Sequence, residues 1–174
     1  GCYAPGGRFP LPSSVLMTAA TARAAGVARV TVVTPSSEDV MLGAAYIAGA
    51  DGVLWAGGAH AIAAMAYGTE SVDAADVIVG PGNRWVTAAK AIVSDRVGID
   101  MLAGPSELVV VADGKVDPAV IAADLLAQAE HDPDARPILV TTSRSLIEAV
   151  NEQLATQLQG LDTAPIARLA LKNG

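Results

Sequence analysis

The chain has 174 residues, and its hydrophobic fraction of 52% is too high for a disordered polypeptide and predicts a packed core. Its net charge of −7 and aromatic fraction of 3% argue against nucleic acid or membrane as a partner, because those surfaces need clustered Lys and Arg or stacking rings. The single cysteine, Cys2, excludes an internal disulfide, and no apolar run reaches the ~18 residues of a membrane span. Because the first ten residues also lack the pattern of a secretory signal, we expect a cytoplasmic protein that acts on a small molecule.

Short runs of Val and Ile alternate with longer alanine-rich segments along the whole chain. Continuous rather than alternating apolar runs are typical of parallel strands that are buried on both faces. Strand and helix in regular succession predict an α/β fold, with Rossmann-like parallel sheets and helices on both faces. In chain order the predicted elements are helix 13–25, strand 28–35, helix 37–48, strand 52–57, helix 59–67, strand 77–81, helix 83–95, strand 107–113, helix 118–130, strand 137–143 and helix 144–158.

Capping residues mark several of these helix ends. Ser13 or Ser14 can cap the first helix, and Gly26 can end it. Asp117 and Asn83 are natural N-caps of later helices, and capping alone explains an asparagine at position 83. The helix that Asn83 opens is predicted to pack through an apolar stripe made of Trp85, Ala89, Ile92 and Val93.

The longest irregular connection, residues 94–107, suggests a boundary between two lobes. We predict a Rossmann-like lobe over 1–106 and part of a second Rossmann-like lobe over 107–174. After residue 150 a polar helix and a short amphipathic stretch follow without another strand. The second lobe is therefore expected to be incomplete and the chain to be truncated.

Three glycine-rich segments lie where strands lead into helices: "YAPGGRFPLPS" (3–13), "WAGGAHAI" (55–62) and "IVGPGNRWV" (78–86). Ligands of open α/β sheets bind at the carboxyl ends of the strands, and glycine lets the backbone approach them. None of the three is a dinucleotide fingerprint or a phosphate loop, so a simple tight turn remains the alternative for each.

The helix that begins at Pro118 turns polar where it ends. Ile121 and Leu125 define its inward stripe, and at ~100° per residue Asp124, Gln128 and His131 fall on or beside the same stripe. Polar groups aimed at a core need a partner, and a metal ion or local hydrogen bonds could each supply one. With two histidines and one cysteine, the chain cannot supply the ~four donors of a zinc site without carboxylates or outside groups.

Five ordered segments together resemble the central part of histidinol dehydrogenase, the enzyme family that completes histidine biosynthesis. The family's chain is more than twice as long, so this resemblance implies missing amino- and carboxyl-terminal parts. It also implies two Rossmann-like lobes and, in the full-length form, a homodimer. The segments are "CYAPGGRFPLPSSVLM", "GGAHAIAAMAYGTESV", "VGPGNRWVTAAK", "VGIDMLAGPSE" and "ADLLAQAEHDPDA".

The resemblance implies oxidation of L-histidinol to L-histidine through histidinaldehyde, with two NAD+ reduced and zinc holding the substrate. Gln128 and His131 match zinc and substrate ligands, and Ser106 matches a serine that contacts substrate. Tyr3 and Asn83 match residues that touch the nicotinamide nucleotide, and His60 stands where the family usually has a glutamine at a cofactor contact.

The same resemblance places the family's catalytic Glu-His pair and remaining zinc ligands beyond Gly174, the last residue of this sequence. No residue of the chain is therefore predicted to be catalytic. Without a group to accept the hydroxyl proton or to activate water on the aldehyde, we expect this chain alone to be inactive.

Two other functions remain open at this stage. Because of His60, a related zinc and NAD dehydrogenase that oxidises another small polar alcohol, such as a sulfonated diol, is one alternative. A non-catalytic α/β module that binds a nucleotide or a partner is the other, since the proton-transfer base and the remaining zinc ligands are missing from the chain. No Ser-His-Asp or Cys-His arrangement is apparent either.

Overall fold

The computed structural model describes residues 1–6, 9–102 and 106–174, and it divides into two compact units at the peptide between residues 104 and 105. The sequence placed this division two residues later, so Ser106 lies in the second unit. The predicted features that fall on Gly7 in the first glycine-rich loop and on Gly104 and Pro105 lie outside the described residues. No helix in the described ranges is long and apolar enough to cross a bilayer.

The first unit is a parallel sheet of the kind that the alternating pattern predicted. A bridge between Cys2 and Val79 joins two groups of hydrogen-bonded strands, which gives the order β3-β2-β1-β4-β5. From β1 the chain adds β2 and then β3 on one side. It then returns and adds β4 and β5 on the other side of β1. The elements are β1 (Cys2–Tyr3), α1 (Pro12–Ala24), β2 (Thr31–Thr34), α2 (Asp39–Ile47), β3 (Gly52–Trp55), α3 (Gly58–Tyr67), β4 (Val77–Ile78), α4 (Arg84–Val93) and β5 (Gly98–Ile99).

Helices pack against both faces of this sheet. Successive residues of a strand point to opposite faces, so each strand contributes side chains to both packing layers. Val32 and Cys2 pack in one buried cluster with α1 and α2. Val33 and Tyr3 pack in a second cluster with α3 and α4. Residues 32–34 of β2 are all buried, as expected for a central parallel strand. The predicted fold class, Rossmann-like sheets with helices on both faces, is confirmed here.

The described residues of the second unit, 106–174, form a two-stranded parallel sheet and three helices. Ile121 and Leu125 of its first helix pack against the following helix, and Leu126 and Ala129 pack against the last one. Val109 and Val111 of the first strand are exposed, which departs from the predicted burial on both faces. The elements are β6 (Glu107–Val111), α5 (Pro118–Ala129), β7 (Arg136–Val140), α6 (Arg144–Gln157), a 3₁₀ turn (Leu158–Gly160) and α7 (Ala164–Ala170).

Several local predictions were wrong. The first helix begins at Pro12, so Ser13 and Ser14 lie inside it and neither caps it. The irregular connection 94–107 contains β5, and the chain start contains β1. Both strands have two residues, too few for an apolar period to be recognised.

The predicted stripe of α4 was right at Ala89 and Val93, which are buried, and wrong at Trp85 and Ile92. Trp85 and Ile92 are 62% and 73% exposed, and the buried face is formed by Val86, Ala89, Lys90 and Val93.

Candidate functional site

Loops from four strands of the first unit meet at the carboxyl edge of its sheet. The Gly58 N–H, just after β3, donates a hydrogen bond of 3.0 Å to the hydroxyl of Tyr3, at the end of β1. A Cβ at Gly57 would lie 2.7 Å from the Pro35 side chain that follows β2. A Cβ at Gly80, after β4, would collide with the carbonyl oxygen of Tyr3. The glycines therefore allow the loops to pack around the point between β1 and β4 where the chain direction switches, the usual ligand position in such sheets.

Tyr3, a predicted nucleotide contact, is 3% exposed and belongs to the core. Its ring packs in the cluster that includes α3 and α4, and its hydroxyl accepts the hydrogen bond from Gly58. The hydroxyl keeps its own hydrogen for a second hydrogen bond. Its clearest effect in the structure is to hold the Gly57–Gly58 turn.

Asn83, the second predicted nucleotide contact, caps α4. Its Oδ1 accepts hydrogen bonds from the backbone amides of Trp85 at 3.0 Å and Val86 at 3.1 Å. The predicted capping role is confirmed. The side chain is exposed, and its Nδ2 keeps two donor hydrogens for a ligand. Capping and ligand contact are therefore compatible.

His60, the third predicted nucleotide contact, lies exposed in the first turn of α3. No side chain caps this helix, whose N-cap is Gly57. Backbone amides at a helix N-terminus attract anionic groups such as phosphate. A dinucleotide thus suits this edge, which offers small residues, an N-terminus without a side-chain cap and the donors of Tyr3 and Asn83.

The sequence patterns did not predict a buried ion pair that lies next to residues 80–83. Lys90 of α4 is 3% exposed and pairs with Asp100, which follows β5. The Lys90 Nζ also donates to the Gly80 carbonyl at 3.1 Å, while the Gly80 N–H donates to Asp100 Oδ2 at 2.7 Å. The spacing of Val86, Ala89, Lys90 and Val93 was the available signal, because it places a lysine on an apolar face.

The environment of Asp100 favours its charged form. Partial burial raises the pKa of Asp100, but hydrogen bonds from Lys90 and from the backbone amides of Gly80 and Met101 outweigh that effect. The pKa of this carboxyl therefore lies below its ordinary value of 3.8.

The predicted zinc ligands lie at the end of α5 in the second unit. Gln128 is half-buried in the last turn, and His131 is exposed two residues beyond the helix end at Ala129. The expectation that Asp124 and His131 aim at the core was wrong, since both are exposed. Helical projection cannot be extended to His131, because the chain leaves the helix before it.

The local geometry nevertheless keeps the two zinc candidates close along the chain. The His131 N–H donates to the Gln128 carbonyl at 3.3 Å. Neither side chain forms a hydrogen bond or ion pair with another described residue. The Gln128 oxygen and the His131 ring nitrogens are therefore available as metal ligands. Ser106, the predicted substrate contact, is exposed, and its carbonyl accepts a hydrogen bond of 3.2 Å from the Arg136 amide.

An imidazole nitrogen and an amide oxygen suit part of a zinc site, although zinc needs about four donors. Among the described residues, no group of three or more His, Cys, Asp or Glu side chains is arranged to hold a metal ion. The donor set of this chain therefore fits as a contributor to a zinc site and not as a whole one.

The predicted catalytic Glu-His pair falls outside the chain, because it was assigned to positions beyond Gly174. Gly174 is an exposed residue that follows α7, and no role at the site is predicted for it. The second unit contains one histidine, His131, which is already the zinc candidate. The location of the Glu-His pair beyond Gly174 stays a prediction.

A cavity of about 360 Å³ in the first unit lies at the opposite edge of the sheet. Its lining includes Arg29, Asp51 and Asp73, together with residues at the amino ends of β2, β3 and β4. None of the predicted site residues lines it. Because ligands of open α/β sheets bind at the carboxyl edge, we place the candidate site there and not in this cavity.

Comparisons with known proteins extend over the whole chain. A family model described as histidinol dehydrogenase matches residues 1–174. The histidinol dehydrogenase of Haloarcula marismortui is 54% identical over 176 residues, which cover 99% of this chain and 42% of that protein. The Thermus thermophilus histidinol dehydrogenase is 53% identical over 175 residues, which cover 100% of this chain and 42% of that protein.

A solved structure gives the same result. The crystal structure of histidinol dehydrogenase from Elizabethkingia anophelis matches with a TM-score of 0.90 at 44% identity, covering 97% of this chain and 40% of that one. This chain spans about two fifths of the length of these relatives. With a family match over all 174 residues and about half of the residues identical in these relatives, the chain belongs to the histidinol dehydrogenase family.

Proposed function

We propose that the intact protein containing this chain is an oxidoreductase of histidine biosynthesis that converts L-histidinol to L-histidine with NAD+ and zinc. The alcohol loses a hydride and a proton to give the aldehyde. The aldehyde then adds water and loses a second hydride and proton to give the acid, so each histidinol reduces two NAD+. The observation that carries the proposal is the family match over residues 1–174.

In this proposal the first unit binds the dinucleotide at its carboxyl edge. NAD+ supplies the hydride acceptor when it is bound. Tyr3 holds the Gly57–Gly58 turn, and Asn83 offers its amide hydrogens while its oxygen caps α4. The N-terminus of α3, with His60 in its first turn, would hold the anionic part of the ligand, because free backbone amides attract anionic groups.

The second unit contributes to the metal and substrate site. When bound, zinc would supply a Lewis acid for the nitrogen groups of the substrate. The Gln128 oxygen and a His131 ring nitrogen are the two ligands from this chain, and the Ser106 hydroxyl contacts the substrate. We assign no residue of this chain to proton transfer.

Substrate turnover by the intact protein tests the activity. NADH absorbance and histidine product should rise together with L-histidinol, at two NADH for each histidine. A sulfonated diol is the comparison substrate, because His60 replaces the usual glutamine and leaves room for a different alcohol. Faster turnover of the diol than of histidinol would replace the proposed substrate, and the absence of both activities would favour a non-catalytic nucleotide-binding module.

Metal analysis of two matched variants tests the zinc ligands. The chain has two histidines, so His131→Ala can be compared with His60→Ala in the same protein. His131→Ala should lose tightly bound zinc, with affinity reduced about a hundredfold or more, because a direct ligand matters at least as much as its supporting groups. His60→Ala should retain zinc. Equal zinc content in the two variants would contradict the assignment of His131.

A further inference from the structure

Lys90 occupies a position that a lysine rarely takes. Its side chain is 3% exposed on the face that α4 turns toward the core, between Ala89 and Val93. A buried ammonium group is costly unless it is paired and hydrogen-bonded, and apolar residues would often serve stability as well or better. The partners of this ammonium group are Asp100 and the Gly80 carbonyl.

The Lys90–Asp100 pair binds both polar groups of the Gly80 residue. Asp100 accepts from the Gly80 N–H at 2.7 Å, and Lys90 donates to the Gly80 carbonyl at 3.1 Å. Asp100 also accepts from the Met101 amide at 2.7 Å. Since Gly80 has φ of +114° and lies against the Tyr3 carbonyl, the pair fixes a backbone conformation that only glycine adopts readily.

Gly80 is the first residue of the loop that ends in Asn83, here called the 80–83 loop. The ion pair anchors the beginning of this loop, and the cap formed by Asn83 anchors its end. A short segment with both ends fixed presents its side chains in one geometry, and such preorganisation is a general source of ligand affinity.

We propose that Lys90 and Asp100 are positioning residues of the nucleotide site, which hold the 80–83 loop so that Asn83 and the loop backbone meet the dinucleotide. This inference rests on the proposed NAD+ site in the first unit. Neither residue needs to touch the ligand, because both act through the Gly80 peptide groups.

The test is NADH binding to the intact protein, measured by fluorescence titration, with Lys90→Met and Asp100→Asn. Lys90→Met keeps an unbranched side chain but removes the ammonium group. Each variant should weaken NADH binding about tenfold, the scale expected for loss of a charge-assisted hydrogen bond. Zinc content should not change, and the KM for histidinol at saturating NAD+ should stay within about twofold.

A double variant separates positioning from simple stability. Lys90→Met with Asp100→Asn leaves no unpaired buried charge, so the thermal midpoint should recover toward that of the unsubstituted protein. NADH should still bind at least about fivefold more weakly than to the unsubstituted protein, because the Gly80 carbonyl still lacks its ammonium donor. If the double variant bound NADH within about twofold of the unsubstituted protein, the pair would be merely structural.

Arg23→Met is the matched control. Arg23 pairs with Asp51 and also donates to backbone carbonyls of Gly49, Val27 and Ala28, but this pair lies near the amino ends of β2 and β3. The variant should lower the thermal midpoint without weakening NADH binding. Equal weakening by Arg23→Met and Lys90→Met would overturn the proposal, and failure of the unsubstituted protein to bind NADH would overturn the nucleotide site itself.

Discussion

A side chain at position 80 would collide with the main chain of β1. Gly80 combines φ of +114° with a position at which a Cβ would overlap the Tyr3 oxygen, whereas Gly26 has φ of +79° and open space around it. Gly26→Ala should therefore cost only the backbone penalty of about 1 kcal/mol, and Gly80→Ala at least about 3 kcal/mol. Urea unfolding of both variants measures the difference, and equal losses would mean that β1 moves aside without cost.

The acid sensitivity of the fold should depend on Asp100. Its folded pKa lies below 3.8, so its contribution to stability is complete above the unfolded pKa and is lost as pH falls through the folded value. The unfolding free energies of the unsubstituted protein and of Asp100→Asn should converge as pH falls from about 5 to about 2. Urea titrations across this range test the prediction, and a difference that stays constant with pH would contradict it.

At the scale of elements, the start of α4 combines a cap with a proposed ligand contact, and substitutions at Asn83 can separate them. Asn83→Ala should cost about 1 kcal/mol, because two helix amides lose their acceptor. Asn83→Asp keeps the acceptor and should cost only a few tenths of a kcal/mol, yet it loses the amide donors and should weaken NADH binding about tenfold. Urea unfolding and NADH titration of the same two samples give both readouts. Unchanged NADH binding by Asn83→Asp would show that Asn83 caps the helix and does not contact the nucleotide.

The same helix shows why sequence patterns predicted the bounds of a helix better than its buried face. The bounds of α4 were predicted within two residues from Asn83 and the alanine-rich run, because capping and helix propensity are local. The inward face was predicted as Trp85, Ala89, Ile92 and Val93, but Trp85 and Ile92 are exposed. Lys90 is buried because Asp100 and Gly80, distant in the sequence, meet it in the fold, and no local rule contains that contact.

For the whole molecule, we predict that residues 1–174 alone bind NADH but do not oxidise histidinol. The carboxyl edge of the first unit holds the proposed nucleotide contacts. In the second unit Gln128 and His131 are the proposed zinc ligands, fewer than the ~four donors that zinc needs, and its described residues form no group of three or more His, Cys, Asp or Glu side chains that could hold a metal ion. Fluorescence titration should detect NADH binding, and the NADH assay with L-histidinol should remain at background. Sustained NADH production from L-histidinol by residues 1–174 would contradict this prediction.

The sequence by itself determined the fold class, most helix bounds and the family, because these depend on local propensity and on ordered motifs along the chain. It also named the residues of the proposed site, from Tyr3 to His131, although their roles remain predictions. Only the tertiary structure decided the strand order, in which the two-residue strands β1 and β5 pair with partners far along the chain. It likewise decided that Lys90 and Asp100 enclose Gly80, since a buried charge is tolerated only where distant groups converge on it.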